Sequence, residues 1–474
     1  MRPIRVVVAD LQGGDGGKGR VIDDFITQAL ERDDGKRILN PVAQGGDNAG
    51  HTGYVELESG LLVPFVTHAA PIGLASNVDV AIGPDVAFTP QSFLNELSQA
   101  VDLFGYNGRI LISGRAGICF DYHRKLDAWQ ESLRSEKIGT TKSGIGPFYM
   151  DNARRDTRIT FDDYVSDRFP DKLRKVLNLK KLELTHAGIL APKTLRDSVD
   201  FHDIDFTKVE NSSSDYLEEL IATHEPIRKE LRPYNELLEY RTKEYVDGGH
   251  HIAVELRQGK VLHVTQGTLP DNTSSYLSPL DVLSSLCLRR RDFRIVGVEK
   301  IYPTRVGTGK MATDTSDLDV VGENAGEFGA TTKRKRRKGY PDWVNISHAH
   351  LLYDLDEIHM TRADCVQDVE MKICVAYDIN GKRTTEFPIK LDDVEPVYVG
   401  RYQWKLWDGE RNLSDPVKVH EKLKPIRQSY IDGGFESLPQ GLRNFVEDHD
   451  NYVGVPTTAI YIGPARGELI RRSA

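Results

Sequence analysis

The segment Gln12–Arg20 carries the residues of this chain that are best suited to chemistry. It consists of Gln-Gly-Gly-Asp-Gly-Gly-Lys-Gly-Arg, and its glycines allow several backbone N–H groups to face one anion. Lys18 adds a positive charge, and a helical pattern follows, so the segment is typical of a phosphate-binding loop. Asp15 lies inside this loop, where an anion would not favour a carboxylate. Asp15 is therefore a candidate metal ligand, general base, or both.

A second glycine-rich turn, Gln44–Thr52, follows the strand-like run Ile38–Ala43. Ligands of open α/β sheets bind beyond the carboxyl ends of the strands, so both turns are expected at the same edge of a sheet. His51 is then a candidate to contact a phosphate or to act as an acid. Away from the first loop, it would be interpreted as a histidine in a solvated turn.

Two further segments are suited to anions. Ile138–Pro147 combines hydroxyls, exposed backbone and the nearby Arg154 and Arg155, which suit a phosphate or a carboxylate. Gly329–Lys338 ends in six consecutive cations, which alone would indicate a nuclear-import or nucleic-acid patch. The acidic chain as a whole favours a small anionic ligand instead, and a solvated basic loop is the remaining interpretation.

The tetrapeptide Thr361–Asp364 is a candidate nucleobase reader. A carboxylate at this spacing can accept the N1–H and N2–H₂ donors of guanine, although Arg362 stands where such sites have lysine. Taken alone, such a tetrapeptide occurs by coincidence about as often as it marks a nucleobase site.

The elements that position these residues alternate between strand and helix patterns. This alternation predicts an α/β fold: a large, mostly parallel central sheet with helices on both faces and phosphate-binding loops, in a single large domain covering residues 1–474. Residues of about 164–245 are more helical and more charged, and we interpret them as a helical insertion. The expected strands are Ile4–Ala9, Arg37–Val42, Asn77–Ile82, Arg109–Ile112, Lys260–Val264, Arg294–Tyr302, Glu370–Tyr377 and Thr457–Ile462.

Composition narrows the class of protein. The net charge of −9 argues against general binding to nucleic acid or anionic membranes, and no run reaches the roughly 18–20 apolar residues that span a bilayer. Four scattered cysteines without a CxxC pair fit a reducing compartment and no structural zinc. Because the first residues lead directly into a strand, no secretory leader is expected. The chain is expected to be cytoplasmic, with no nucleic-acid or membrane partner.

Taken together, these segments resemble the adenylosuccinate synthetase family. Gln12–Arg20 is similar to the family pattern Gln-Trp-Gly-Asp-Glu-Gly-Lys-Gly-Lys, and Asn48–Thr52 has the intact Asn-Ala-Gly-His-Thr motif. Ile138–Pro147 resembles Ile-Gly-Thr-Thr-Gly-Arg-Gly-Ile-Gly-Pro. The resemblance runs from the first strand to about Arg158 and from about Gly259 to the end of the chain. Further matches are Thr265–Thr268, Thr304–Gly307, Gly326–Thr332 and Ile462–Pro464.

The resemblance implies a homodimeric C–N ligase that uses Mg²⁺ and joins L-aspartate to C6 of a purine nucleoside monophosphate. GTP would first phosphorylate the 6-oxygen of IMP, and the amino group of aspartate would then displace the phosphate, giving adenylosuccinate, GDP and phosphate. Asp15 would remove the N1 proton and bind the metal together with the Gly50 carbonyl. His51 and Lys18 would stabilise the phosphoryl group as charge shifts.

The resemblance also implies three sets of binding residues. Arg155 would reach its ligand from the partner subunit. The nucleoside triphosphate set is Gly14, Gly17, Lys18, Gly19, Arg20, Thr52, Asp364, Gly463 and Pro464. The purine monophosphate set is Asp15, Asn48, Thr141, Arg155, Gln266 and Thr273. The aspartate set is Thr331, Thr332, Arg334 and Arg336.

Several departures from the family pattern concern the nucleotide sites. Gly13 and Gly16 replace tryptophan and glutamate, which predicts a roomier pocket around Asp15. Lys142-Ser143 replaces Gly-Arg, and after Gln266 the longer family loop with its Gly-Thr-Tyr-Pro element is missing, which makes the position of Thr273 insecure.

These departures leave two alternatives open. One is a side branch of the family that acts on GMP or dGMP with ATP, dATP or GTP. The other is a non-catalytic nucleotide-binding paralogue. Retained Asp15 and His51 argue against the paralogue, because a binding module needs neither a base nor an acid.

Overall fold

The structure is a computed structural model that describes residues 2–56, 62–190, 213–306, 309–328, 335–407 and 416–472. The strands are β1 Arg5–Asp10, β2 Ile38–Gly46, β3 His51–Glu56, β4 Leu62–Thr67, β5 Asp79–Phe88, β6 Ile110–Ser113, β7 Gly117–Ile118, β8 Asn235–Glu236, β9 His251–Gly259, β10 Arg294–Lys300, β11 Thr304–Arg305, β12 Arg337–Lys338, β13 Glu357–Thr361, β14 Met371–Ile379, β15 Lys382–Thr384, β16 Val394–Tyr402, β17 Thr457–Tyr461 and β18 Leu469–Arg471. The α-helices are α1 Lys18–Glu31, α2 Pro90–Phe104, α3 Asp121–Leu133, α4 Ile145–Ala153, α5 Phe161–Val165, α6 Phe169–Leu190, α7 Ser213–Leu231, α8 Leu238–Asp247, α9 Pro279–Ser285, α10 Asp319–Ala325, α11 Trp343–Tyr353, α12 Pro416–Gly433 and α13 Gln440–Val453.

One large sheet organises the described part of the chain. Its strand order is β18-β17-β13-β10-β1-β9-β2-β5-β6-β8, with β7 beside β5. Every pair along this order is parallel except β17 with β18. The expected large, mostly parallel sheet in a single domain is therefore confirmed.

Strand β1 shows why the sheet has helices on both faces. Along Val6–Ala9, alternate side chains belong to two different hydrophobic clusters, one on each face. Phe25 of α1 and Phe93 of α2 lie in the first cluster, while Trp343 of α11 and Phe445 of α13 lie in the second. Because both faces are buried, this strand is a continuous apolar run without polar alternation.

The strand next to β1 was not expected from the sequence. A strand was predicted at Lys260–Val264, but Lys260–Leu262 is a short 3₁₀ turn and the strand is β9, which precedes it. The prediction was wrong because Glu255 and Arg257 make β9 look half-exposed. Both side chains are buried instead, and both make polar contacts inside the protein.

The region of about 164–245 is mainly helical where it is described, in α6, α7 and α8. It also supplies β8, which extends the central sheet beside β6. The buried hydroxyl of Tyr164 lies 2.8 Å from Nδ1 of His224, so α7 is tied to the body of the protein. The predicted strand Glu370–Tyr377 forms as β14, but in a separate three-stranded antiparallel sheet with β15 and β16. None of the described helices is both long and apolar enough to cross a membrane.

Candidate active site

Three neighbouring strands bring the candidate residues together. The strands β1, β9 and β2 are adjacent and parallel, and each has a Gln-Gly pair at or just beyond its carboxyl end, at Gln12, Gln258 and Gln44. A cavity of about 1090 Å³ opens at this edge. The two glycine-rich turns therefore face one cavity, as their positions after strands indicate.

Most of the predicted site residues line this cavity. They are Gly14, Asp15, Gly17, Lys18, Gly19, Arg20, Asn48, Gly50, His51, Thr52, Thr141, Thr273, Arg336, Asp364, Gly463 and Pro464. The turn Pro270–Ser274 also lines it, so Thr273 reaches the site although the loop before it differs from the family pattern.

Five predicted residues are not among the lining residues. Arg155 and Gln266 are exposed and lie outside the cavity. For Arg155 this leaves the predicted action across a dimer open, because such a residue belongs to the other subunit's site. Thr331, Thr332 and Arg334 lie outside the described residues.

The glutamine that lines the cavity is Gln258, whereas the predicted Gln266 lies outside it. Gln258 lines the cavity, and its Nε2 donates a hydrogen bond of 2.8 Å to Oδ1 of Asn48. The error follows from missing β9, since Gln258 lies near the end of that strand. The repeated Gln-Gly pair at the strand ends was the sequence signal that could have identified it.

Asp15 is held by an arginine that was assigned to a different substrate. Its carboxylate is 2.9 Å from Nη2 of Arg336, and 26% of the Asp15 side chain is exposed. Nη1 of Arg336 is 2.8 Å from a second carboxylate, that of Glu327. The guanidinium predicted to bind aspartate therefore already binds two carboxylates, and an incoming carboxylate would compete with Asp15 for it.

Glu327 is the buried centre of this charge network. It accepts hydrogen bonds of 2.9 Å from Nζ of Lys300 and from the hydroxyl of Tyr302. Burial opposes ionisation of Glu327, but Lys300, Arg362 and Arg336 outweigh burial and hold its pKa well below the usual range. Because it stays ionised, Glu327 fixes Arg336 beside the first glycine turn. The sequence showed Glu327 only as part of a matching motif.

His51 is oriented by β9. Its Nδ1 contacts the carboxylate of Glu255, and its Nε2 lies 2.8 Å from the backbone oxygen of Arg257. Burial lowers the pKa of His51 well below its usual range, and the charges of Lys18 and Arg257 add to this effect. Since both ring nitrogens have protein partners here, the ring must release one of them before it can touch a phosphoryl group. Glu255 was missed together with β9.

The predicted nucleobase pocket contains an unexpected arginine. Nη2 of Arg427, from α12, lies 3.6 Å from Oδ2 of Asp364, and its Nη1 lies 3.0 Å from Oε1 of Glu468. A Cβ on Gly463 would be only 2.1 Å from Oε2 of Glu468, so this position needs glycine. Asp364 thus lines the cavity with a buried arginine beside it.

Of the two glycines that differ from the family pattern, Gly13 lines the cavity and Gly16 does not. An ideal Cβ on Gly16 would lie 2.4 Å from Oδ2 of Asp10, so the carboxylate of Asp10 fills that space. A Cβ on Gly13 would lie 3.0 Å from the backbone oxygen of Thr304. The roomier pocket around Asp15 was therefore a wrong prediction for Gly16, and at Gly13 a side chain would point towards Thr304.

The donors at the cavity fit Mg²⁺ only in part. Asp15 offers a carboxylate and Gly50 a carbonyl, and both residues line the cavity. Within the described ranges, no group of three or more His, Cys, Asp or Glu residues could hold a metal. Mg²⁺ typically takes one or two carboxylates, waters and substrate phosphates, so these two donors suit a metal that arrives with a nucleotide.

Comparison of the sequence with known proteins agrees with this geometry. The profile of the adenylosuccinate synthetase family matches residues 7–470. The adenylosuccinate synthetase of Brevibacillus brevis is 30% identical over 478 residues, covering 98% of each chain. That of Clostridioides difficile is 31% identical over 476 residues, again covering 98% of each.

Two solved structures share the fold. Fully ligated adenylosuccinate synthetase from Plasmodium falciparum has a TM-score of 0.77 at 24% identity, covering 99% of this chain and 100% of that one. The succinoaminodeoxyadenylate synthetase of cyanophage S-2L, bound to dGMP and dATP, has a TM-score of 0.56 at 16% identity, covering 100% and 97%.

The fold and the cavity define an α/β protein with a glycine-rich loop that carries a lysine and a carboxylate. With the family profile spanning nearly the whole chain, the protein belongs to the adenylosuccinate synthetase family, a family of ligases of purine biosynthesis that act on small molecules.

Proposed function

We propose that the protein joins L-aspartate to C6 of IMP with GTP as phosphoryl donor, forming adenylosuccinate, GDP and phosphate. The observation that carries this proposal is that Asp15, in the first glycine-rich loop, lines one cavity with Asn48 and His51 of the second. The chemistry needs a base and a phosphate cradle within reach of the same purine.

In the first step, Asp15 removes the N1 proton of the purine, which makes the 6-oxygen nucleophilic. That oxygen attacks the γ-phosphorus of GTP, and GDP leaves. Asp15 must exchange Arg336 for the purine, so we expect substrate binding to break the 2.9 Å ion pair between them. Lys18 and the loop amides hold the phosphates, and His51 stabilises the transferring group.

In the second step, the amino group of aspartate attacks C6 and phosphate leaves with the former 6-oxygen. Arg336, together with Thr331, Thr332 and Arg334, binds the aspartate carboxylates, since arginine forms paired hydrogen bonds with this group. The purine monophosphate is bound by Asn48, Thr141, Gln258 and Thr273, and by Arg155 of a second copy. The base of the triphosphate lies against Asp364, Gly463 and Pro464. Asp15 and the Gly50 carbonyl would hold Mg²⁺, which would supply positive charge against the phosphates during transfer.

The direct test is formation of adenylosuccinate, measured by mass, from IMP, L-aspartate and GTP with each component omitted in turn. We expect product only when all three are present. The same assay with GMP or dGMP in place of IMP, and ATP or dATP in place of GTP, tests the side-branch specificity. Product from dGMP but not from IMP would replace the proposed substrate, and no product from any combination would support a binding protein.

The proposed action of Arg155 across a dimer has its own test. Asp15→Asn and Arg155→Leu chains, each inactive alone, are mixed and allowed to exchange subunits. One site of each hybrid would contain both native residues, so about a quarter of all sites should regain activity at equal mixing. No recovery, despite subunit exchange shown by native mass spectrometry, would contradict a shared site.

A further inference from the structure

Asp10, the last residue of β1, is a buried carboxylate at the base of the phosphate loop. Its Oδ1 accepts hydrogen bonds from the backbone N–H groups of Gln12 at 2.9 Å and Gly14 at 3.2 Å. Its Oδ2 accepts from the N–H of Gly16 at 2.6 Å and from Nζ of Lys18 at 3.4 Å. Only 1% of Asp10 is exposed, so these four donors surround a charge that is shielded from water.

The donors that surround Asp10 are of the kind that bind phosphate in a glycine-rich loop. Backbone N–H groups and a lysine form the anion site where such a loop enters a helix. Here alternate amides of the loop point to an internal anion, while the first amides of α1 have no partner within the helix. Asp10 thus divides the donors into an inner set that holds the loop and an outer set left for a ligand.

The space that Asp10 occupies explains Gly16. An ideal Cβ on Gly16 would lie 2.4 Å from Oδ2 and 3.0 Å from Cγ of Asp10. Unlike Gly14 and Gly17, Gly16 does not have a positive φ, so the backbone conformation alone does not require glycine there. The family pattern has glutamate at this position, so this chain supplies a carboxylate at the loop from β1 instead.

We infer that Asp10 is the positioning residue of the phosphate loop, and that Gly16 is glycine to make room for it. Asp10 holds the loop in the shape that receives a nucleoside triphosphate and keeps Lys18 at its edge. The ion pair to Lys18 is long, so the ammonium can be shared with a phosphate oxygen. This inference rests on the proposed function only in assigning the triphosphate to this loop.

The first test replaces Asp10 with asparagine, which has the same shape but only one acceptor oxygen, so it can serve the donors of Oδ1 or those of Oδ2 but not both. The dissociation constants of magnesium GTP and magnesium ATP are measured by titration calorimetry, with the melting temperature measured in parallel. Whichever of the two triphosphates the native protein binds more tightly should bind the Asp10→Asn variant about tenfold more weakly. The dissociation constant of IMP should change little. Asp247→Asn, which removes an exposed carboxylate paired with Lys243, is the matched control and should change neither constant.

The second test measures the coupling between Asp10 and Gly16. Gly16→Ala should weaken triphosphate binding strongly in the native background, because its Cβ meets the Asp10 carboxylate. In an Asp10→Ala background the same substitution should add little further weakening, since the space is then open. This comparison stays informative if Asp10→Asn folds poorly, because it uses the native and Asp10→Ala backgrounds instead. The melting temperature of each shows whether that protein is folded.

Three results would overturn the inference. The first is equal weakening of IMP and triphosphate binding, which indicates a general loss of structure. The second is the same cost of Gly16→Ala in both backgrounds. The third is a native protein that binds neither triphosphate. A native protein that binds a triphosphate but makes no adenylosuccinate would refute the proposed function while leaving the role of Asp10 intact.

Discussion

The two glycine-rich turns of the site look alike in sequence but differ in what holds their backbones. The first turn has an internal anchor, because every donor to Asp10 lies within eight residues of it in the chain, and Thr361 and Arg336 add contacts from outside. The second turn has no such buried carboxylate of its own among its described contacts and is held by distant residues. The N–H of Gly45 donates to the hydroxyl of Tyr149 at 3.1 Å, and Asn48 is bound by Gln258 of β9.

This difference separates two kinds of task. A turn that carries its own internal anion depends less on the surrounding elements for its shape, which suits a loop that holds phosphates and a base. A turn held by distant residues, such as Tyr149 and Gln258, can change shape when those residues move. We therefore expect substitutions in the first turn to affect triphosphate binding and the chemical step. Loss of the contact between Gln258 and Asn48 in the second turn should affect purine binding, whereas His51, at the end of that turn, serves the chemical step.

The largest expected effect is that of Asp15→Asn in the first turn. Loss of the base should lower kcat by roughly 10²–10⁴-fold, while binding of IMP and of the triphosphate stays within a few fold. Steady-state kinetics and titration calorimetry on the same preparation measure both quantities. Turnover close to that of the native protein would refute the assignment of Asp15 as the base, and with it the chemical role of the first turn.

The next effect concerns Glu255, which orients His51 from β9. Glu255→Gln should let the imidazole lose its position, and we expect kcat to fall by up to about 10²-fold, as for other small misplacements of a reacting group. The KM values of both nucleotides should change little. A lower kcat together with higher KM values for both nucleotides and a lower melting temperature would instead indicate that Glu255 serves only the fold.

A smaller effect is expected for Gln258, which binds the second turn. Gln258→Ala removes its hydrogen bond to Asn48 and should raise the KM of IMP about tenfold, the cost of about one hydrogen bond. Gln266→Ala is the matched control, because Gln266 is exposed and outside the cavity. If Gln266→Ala had the larger effect, the corrected assignment of the site glutamine would be wrong.

The smallest effect concerns the scaffold beneath the first turn. His359 of β13 is buried and stacks on Phe25 of α1 at 5.4 Å, and burial lowers its pKa to about 3. The imidazole of His359 takes up a proton near pH 6.5 in the unfolded chain but only near pH 3 in the folded chain. The contribution of His359 to the free energy of unfolding is therefore fully present above pH 6.5 and is lost as the pH falls towards 3.

Replacing His359 with phenylalanine should therefore reduce the loss of stability on acidification, without changing kcat at neutral pH. Thermal unfolding across that pH window measures the effect, with a difference of roughly a few degrees expected between variant and native protein. Equal acid sensitivity in the two proteins would show that His359 does not titrate as inferred.

The sequence was sufficient for the features that depend on local pattern. The apolar run of β1, the glycines after it and the start of α1 at Lys18 are all fixed by neighbours in the chain. The same is true of the alternation that predicts a parallel sheet. These signals also placed both turns at one edge of the sheet, which brings Asp15 and His51 to one cavity.

What the sequence did not reveal depends on contacts between distant segments. Glu255 and Arg257 made β9 look exposed, because their partners come from other elements and cannot be read locally. Gln258 was missed with that strand. Asp10 was not singled out, since nothing in the sequence shows that its carboxylate turns back to the amides of Gly14 and Gly16.

The most direct test of the whole account follows the 6-oxygen of the purine. IMP labelled with ¹⁸O at C6 is incubated with GTP, L-aspartate, Mg²⁺ and the protein, and the phosphate released is analysed by mass spectrometry. The account predicts that the phosphate carries the ¹⁸O, because the 6-oxygen is phosphorylated before aspartate displaces it. Unlabelled phosphate would mean that water, and not the purine, receives the phosphoryl group, and would contradict the account.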